Sequence, residues 1–493
     1  MEKKNNVVIL GAGPAGLTAA YELSNNGVES CIVEKGDCVG GLARTVEYKG
    51  YLFDIGGHRF FTKVRQVQKI WEQVLGDDLL TRPRLSRIYY QSRFFSYPIE
   101  PLNALLGLGL KETILCGLSY ARAKALPRMP ENDFKTWVSN RFGRRLFEIF
   151  FKTYTEKVWG IPCDRISSEW ATQRIQGLSL TGVVLNSLRL TRGGRKREIK
   201  SLIREFQYPR KGPGMMWSRL HKIVEARGSR LFLTSPVKKI FWEPGRVVAV
   251  EAGESLHTGS HFLSSIPIRE LIMSLEPEPP REVARAAGDF NYRDFLTVVL
   301  LLRGKNFFPD NWIYIHDPGV NVGRIQNYNN WSPDMVPDPE TTCIGLEYFC
   351  SEGDALWRRS DEELIEQAKA ELSKIGLVDP ASVFDATVLR VRKAYPVYDE
   401  NYRRGISAIR HFLNAVPNLQ LIGRNGMHRY NNQDHSMLTA ILAARNIMGA
   451  NFNTWDVNAD ADYHEQCDLL TADQIEALES SQPMVPQVIP AQR

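Results

Sequence analysis

Residues 5–37, NNVVILGAGPAGLTAAYELSNNGVESCIVEKGD, set out a short apolar run, a glycine turn, a helical pattern and a second apolar run that ends in an acid. Val7–Leu10 suits a strand buried on both faces of a parallel sheet. Gly11, Gly13 and Gly16 fit G-x-G-x-x-G. The first permits a tight turn, the second lets backbone approach a pyrophosphate, and the third lets helix pack closely on strand. The amides that open the helix then face the phosphates. Glu34 closes the second strand, where a carboxylate accepts the hydrogen bonds of an adenosine ribose. Three glycines alone are a weak signal. With the strand before, the helix after and the acid beyond, they describe a dinucleotide cradle.

FAD and NAD both use such a cradle, and the next segment separates them. GDCVGGLARTVEYKGYLFDIGGHRFFTK (36–63) sets Gly40, Gly41 and Arg44 just beyond Glu34, followed by Asp54 and the run Gly56, Gly57, His58. This arrangement resembles the flavoprotein superfamily that contains amine oxidases, protoporphyrinogen oxidase, phytoene desaturase and UDP-galactopyranose mutase. The resemblance implies FAD, with Gly40 and Gly41 against its pyrophosphate, Arg44 in contact with it, and Gly56, Gly57 and His58 near the isoalloxazine ring. It also implies that Val237 meets the adenine through its backbone, and that HFLSSIPIREL (261–271) returns as strand and turn beneath the cofactor. A separate NAD(P)H cradle is not visible, so NADPH or NADH enters only as a candidate reductant.

The rest of the chain sets limits. At 493 residues it is too long for one simple domain, and 43% hydrophobic with 24% charged residues provides an ordinary soluble core. A net charge of +6 is too small at this length to argue for nucleic acid, and the dense basic run RLTRGGRKREIK (189–200) reads as a solvated loop. Seven scattered cysteines without a C-x-x-C favour free thiols in a reducing cytoplasm, and no metal is expected. MEKKNN leads directly into a strand, so no cleavable leader is expected. PIEPLNALLGLGLKETILCGLSYARAKAL (98–126) is the most apolar stretch, but Pro101, Lys111 and Glu112 interrupt it, so no transmembrane helix is expected. It reads as buried helices, with peripheral membrane contact as the alternative.

Segments further along have their own periods. LSRIYYQSRFFSYPI (85–99) alternates around Gln91 and Ser92 as two strands. FKTWVSNRFGRRLFEIFFKTY (134–154) is helical, its aromatics placed for a core more than for cofactor contact. Runs at 295–304, 311–317, 323–333 and 341–350 read as an antiparallel sheet, and 361–376 as an amphipathic helix with acids early. The fold class is α/β: a Rossmann-like FAD-binding domain with a parallel sheet, interleaved with a substrate domain of antiparallel sheet plus a helical region. The expected division is 1–63, 206–270 and 405–450 for the discontinuous FAD-binding domain, 64–205 for a mainly helical cap, 271–404 for the antiparallel sheet, and 480–493 for a disordered tail.

LIGRNGMHRYNNQDHS (421–436) gathers arginines, amides and acids ahead of an apolar stripe of Leu438, Ile441 and Leu442. A helix that opens near Asn432–Asp434 turns its positive pole toward whatever lies there, which suits the electron-rich side of a reduced flavin. Asn432 and Gln433 add amide donors beside Gly423, Asp434 reads as the cap, and His435 as structural. The stretch joins FDIGGHRFF (53–61), TEKVWGIP (155–162), SSEWATQRI (167–175), FQYPRKGPGMMW (206–217), GRIQNYNNWSP (323–333) and AYPVY (394–398) in resembling UDP-galactopyranose mutases, the eukaryotic type above all. That resemblance implies a nucleotide-diphosphate sugar as substrate. Arg324 and Arg424 would face its diphosphate, Tyr430 and Tyr395 or Tyr398 would donate hydroxyls, and Arg174 would reach the sugar nucleotide. His58 would shape the surroundings of flavin N5 by hydrogen bonding. The implied activity is a pyranose/furanose mutase in which reduced flavin N5 is the nucleophile at the anomeric carbon, with His58, Arg324 and Arg424 as its catalytic set. Two other classes stand beside it: an FAD-dependent oxidoreductase resembling protoporphyrinogen oxidase or a desaturase, with hydride transfer to N5, and a flavin-binding partner protein without catalysis. Arg59, directly after His58, departs from the mutase pattern.

Overall fold

A computed structural model describes residues 7–97, 103, 107–168, 205–399 and 401–458. The expectations for Arg174, for the basic run 189–200 and for the tail 480–493 lie outside these residues.

Five strands make the first sheet, in the order Leu419–Leu421, His261–Ser264, Val7–Leu10, Ser30–Val33, Arg230–Phe232, and every neighbouring pair is parallel. Val7–Leu10 is central and buried throughout, as an apolar run without polar alternation requires. Helix Pro14–Asn25 follows it, with Pro14 at the first position, where a missing N–H costs nothing. Helix Gln433–Ile447 packs beside it through Leu17, Ala20, Met437, Ala440 and Ala444. Arg445 near its end pairs with Glu22 at 2.9 Å.

Seven strands make the second sheet, in the order Val383–Pro396, Tyr292–Arg303, Thr341–Cys350, Arg324–Asn327, Trp312–Ile315, Ser86–Tyr90, Arg93–Ser96. Its pairs are antiparallel except Trp312–Ile315 with Ser86–Tyr90. Helix Asp361–Ile375, capped by Ser360 and Glu363, covers part of it with Leu364, Ala368 and Leu372. Gln91 and Ser92 adopt φ of 48° and 57°, the left-handed pair that matches strand twist in a two-residue hairpin.

These contacts divide the block 64–205. Helix Arg65–Leu75 sends Val67, Ile70 and Trp71 into the core beside the parallel sheet, while the hairpin joins the second sheet. We propose domain boundaries that follow these contacts. The expectation of buried helices over 98–126 fails in its described part. Helix Leu110–Ala125 buries only Cys116 and leaves Leu110, Ile114 and Leu118 exposed. Apolar residues four apart define a stripe without saying whether it turns inward.

Asp54 ends the ribbon Thr45–Tyr48 with Tyr51–Asp54 and is completely buried. Tyr208 donates to its Oδ2 at 2.5 Å and Thr45 to its Oδ1 at 3.3 Å. Burial pushes the carboxyl up to about 8 against the pull of these two bonds, with Glu347 adding repulsion. The folded chain therefore holds a proton that the unfolded chain releases near pH ~4. Stability from that proton is complete at lower pH and is lost as pH rises through about 8. Asp54→Asn keeps an acceptor and does not titrate. Its melting temperature is expected to rise relative to the parent between roughly pH 5 and 9; melting curves across that range check it, and a constant difference contradicts the assignment.

Candidate active site

Residues of both sheets line one cavity of about 1790 Å³. Its lining includes Glu34 and Val237 as well as Arg84 and Trp312. Cavities for single small ligands occupy about 300–1,000 Å³, so there is room here for a dinucleotide and a second ligand.

The three glycines of the first turn do different work. Gly11 has φ +100°, and a Cβ there would lie 2.4 Å from Ser265 Oγ. A Cβ on Gly16 would lie 1.9 Å from the Gly11 carbonyl oxygen, so helix and turn touch only without one. A Cβ on Gly13 would have Gly41 Cα, at 3.9 Å, as its nearest neighbour, and both glycines line the cavity. Glu34 accepts the Ala12 N–H at 2.7 Å and the Gly36 N–H at 2.8 Å, which fixes its carboxylate at the strand end. Arg44 donates to the Gly41 carbonyl at 3.0 Å, close to Gly40. Val237 opens its strand on the same stretch of the cavity, and Ser265, Ile266 and Pro267 continue the lining after strand His261–Ser264.

Gly56, Gly57 and His58 also line the cavity. His58 Nδ1 bonds to the Gly56 carbonyl at 3.1 Å. Burial holds this imidazole down to about 3, helped by the charges of Arg424 and Arg324 and opposed by the Gly56 bond. A neutral ring at physiological pH donates a hydrogen bond and does not carry a mobile proton.

The closing helix opens at Gln433, and its cap is Asn432 in place of the expected Asp434. Asn432 donates its backbone N–H to His435 Nδ1 at 3.2 Å, which gives His435 its structural task. Asn432, Gln433 and Asp434 line the cavity, where the first-turn amides of a helix have no partner within it. Gln433 Oε1 is buried without a hydrogen-bond partner among the described residues.

The two predicted arginines come together with unequal charge. Arg324 gives Nε to Glu347 Oε2 at 2.8 Å and Nη2 to the same oxygen, and Gln326 donates to Oε1. Arg324 and Glu347 are direct cross-strand neighbours, and Glu347 is completely buried. Burial opposes the charge on Arg324, but Glu347, with Tyr395 and Tyr154 nearby, outweighs it and holds the guanidinium protonated. Arg424 instead gives Nε to the Asn431 carbonyl at 2.8 Å and Nη1 to the Ala394 carbonyl at 3.3 Å. It lies 4.7 Å from the Tyr430 ring centre and 5.7 Å from that of Tyr395. These two rings stack on each other, 5.6 Å apart. Among the described residues no carboxylate pairs with Arg424.

Tyr395 and Tyr430 line the cavity, whereas Tyr398 does not. Tyr398 is core, stacked on Tyr402, and its hydroxyl accepts the Tyr430 N–H at 2.6 Å. It positions the tyrosine that does face the cavity. The 134–154 aromatics divide: Trp137, Phe142 and Phe147 are core, while Phe150, Phe151 and Tyr154 reach the lining. Sequence reasoning missed Glu347, Arg84, Tyr97 and Trp312. Arg84 lies over the rings of Tyr97 and Trp312 at 5.4 and 5.6 Å, and Arg59 over Trp312 at 5.9 Å. Glu347 had a signal, since an acid inside the apolar strand TTCIGLEYFC requires a buried partner.

A profile of flavin containing amine oxidoreductases matches residues 14–448. The chain belongs to that family. Its members' fold is also seen in a structure of reduced UDP-galactopyranose mutase, which superposes with a TM-score of 0.81 at 20% identity over 94% of this chain and 99% of that one. A redesigned putrescine oxidase reaches 0.63 at 16% identity over 90% of this chain and 99% of that one. At these identities the likeness concerns the fold. A ferredoxin–NADP reductase of Gluconacetobacter diazotrophicus is 34% identical over 80 residues, which is 16% of this chain; the chain thus spans 23% of that curated relative. Membership of the family makes the chain an enzyme with FAD as cofactor. The residues fit the group: Gly13 leaves a space that no protein atom fills, and the buried amide of Gln433 is short of a partner.

Gly13→Ala is expected to fold and melt like the parent while losing flavin absorbance, because its new methyl enters the cavity with no protein contact tighter than Gly41 Cα at 3.9 Å. Gly16→Ala is expected to lower the melting temperature as well; equal flavin content in the parent and Gly13→Ala contradicts the cradle. Glu347→Gln leaves a buried guanidinium without its counter-charge, a change worth about 3–5 kcal/mol, and denaturant titration is expected to show a loss of that size.

Proposed function

We propose that the protein is a mutase that interconverts the pyranose and furanose forms of a nucleotide-diphosphate sugar. The observation that carries this reading is Arg424, a cation without a carboxylate among the described residues, set over two stacked tyrosines beside His58. A half-buried guanidinium in that state favours an anion such as a diphosphate. An amine substrate asks for the opposite charge. The lining carries four carboxylates, Glu34, Asp37, Glu270 and Asp434; Glu34 is bonded to backbone amides, Glu270 is paired with Lys393, and Asp434 lies 3.8 Å from His435 Nδ1.

When bound and reduced, FAD supplies the electron-rich centre that replaces the diphosphate at the anomeric carbon. The chain's part is to hold that leaving group and return it. Arg424 takes the diphosphate charge, and the Tyr395 and Tyr430 hydroxyls add donors. Tyr395 is pushed up to about 12, by burial first and then by Tyr430, so it stays a donor over the working pH range. Arg324, with Nε and Nη2 on Glu347, keeps Nη1 on the side of Gly57, where a Cβ would lie 3.8 Å from it. His58 keeps its neutral ring beside the glycine pair and orients without exchanging protons. The family's oxidoreductase chemistry is the second reading, favoured by the apolar wall of Phe134, Phe150 and Phe151.

Incubation of the dithionite-reduced protein with UDP-galactofuranose, followed by chromatography of the sugar products, tests the proposal. Ring-size interconversion in the reduced state alone, with no net electron use, is expected. Arg424→Ala is expected to lose roughly 100-fold in kcat/KM, the worth of one charge-assisted pair at about 3 kcal/mol. Oxygen consumption on an amine or apolar substrate, indifferent to nucleotide sugars, contradicts the mutase.

A further inference from the structure

Helix Leu110–Ala125 carries an apolar face that nothing among the described residues covers. Leu110, Ile114 and Leu118 follow at intervals of four, with Leu115 beside them and Leu126 and Met129 just past the helix end. Leu110 and Met129 are each 78% exposed and Leu118 65%. Contiguous exposed apolar side chains of this kind mark a contact surface. The face is held rigidly from behind. Cys116 packs with Ile88, Phe95, Ile149 and Phe150, and Glu112 takes two bonds from Arg145 at 2.8 and 2.9 Å.

The charges at its border have one sign. Lys111, Arg122, Lys124 and Arg128 are exposed around the leucines. The nearby acids are occupied, Glu112 by Arg145 and Glu131 by Arg141 at 2.8 Å. The preceding sequence PLNALLGLG (101–109) contains no charged residue. Sixteen helical residues rise about 24 Å, short of the roughly 30 Å of bilayer hydrocarbon. No helix among the described residues is long and apolar enough to cross a membrane.

We propose that this face docks on an anionic lipid surface, with the leucines at the headgroup boundary and the four cations on lipid phosphates. The proposal stands independently of the reaction assigned above. A second copy of the chain would bury the same leucines but would bring two cationic rims together, which the charge pattern disfavours. Docking also has a consequence for the site. Ile88, Tyr97 and Phe150, which back the helix on its inner side, line the cavity as well. One layer of side chains then separates the lipid surface from the cavity.

Co-sedimentation of the flavin-loaded full chain with phosphatidylcholine vesicles, with and without phosphatidylglycerol, tests this. Two double variants accompany it, Ile114→Asp with Leu118→Asp and Arg122→Glu with Lys124→Glu. All four positions are exposed, and flavin content and melting temperature report folding. The parent is expected to sediment with the anionic vesicles only, less at high salt, and each variant to bind roughly tenfold more weakly. A parent that stays in the supernatant with anionic vesicles overturns the proposal, as do variants that bind like the parent. A parent oligomer that the Ile114/Leu118 variant dissociates, without vesicle binding, assigns the face to a second copy instead.

Discussion

Two helices from opposite ends of the chain, Pro14–Asn25 and Gln433–Ile447, lie side by side and bring their first turns to the same cavity. Each pole carries roughly half a positive charge from amides without partners, so the cavity favours negative charge at two separate places. The alignment depends on small residues. A Cβ on Gly423 would lie 2.9 Å from Ala15 Cβ, and the Gly423 N–H donates to Thr439 Oγ1 at 3.0 Å, which ties the loop before the closing helix to the helix itself. Glu22 and Arg445 fasten the far ends. The cavity lining inherits this geometry, because Arg424, Tyr430, Asn432 and Gln433 all belong to the segment so placed.

The two arginines show how one charge is made a fixture of the sheet while another rests without a carboxylate partner among the described residues. Arg324 is bound to a completely buried acid on the next strand, so its position is set by the sheet. Arg424 rests on backbone carbonyls and ring faces, which orient a guanidinium and leave its net charge in place. His58 is likewise fixed in one state, its proton excluded by burial and by both arginines. What the site offers a ligand is a fixed positive field more than a proton relay.

Much of this was legible in the sequence because the signals were local. The glycine turn, the strand around Val7–Leu10, the hairpin at Gln91–Ser92 and the helix after Ser360 follow from backbone chemistry within a few residues. Sheet-wide relations were not legible: the pairing of Arg324 with Glu347, and of the hairpin with Trp312–Ile315, depends on which strands become neighbours. Asn432 took the cap expected of Asp434 because both residue types serve and the loop decides. Tyr395 and Tyr398 sit three apart at a strand end, and only the three-dimensional path shows that one faces the cavity and the other the core. The outward stripe of Leu110–Ala125 has the period of a buried helix, and period alone does not reveal which side faces the protein.

The central claim is that the positive pole of the closing helix stabilises the electron-rich state of the flavin. The midpoint potential of the bound flavin in the parent and in Gln433→Glu tests it most directly. A carboxylate at the first turn favours the helix itself, so the variant is expected to fold and to keep its cofactor. A more negative potential is expected in the variant, because the new charge cancels part of the pole. A potential unchanged from the parent, with flavin fully bound in both proteins, would contradict it.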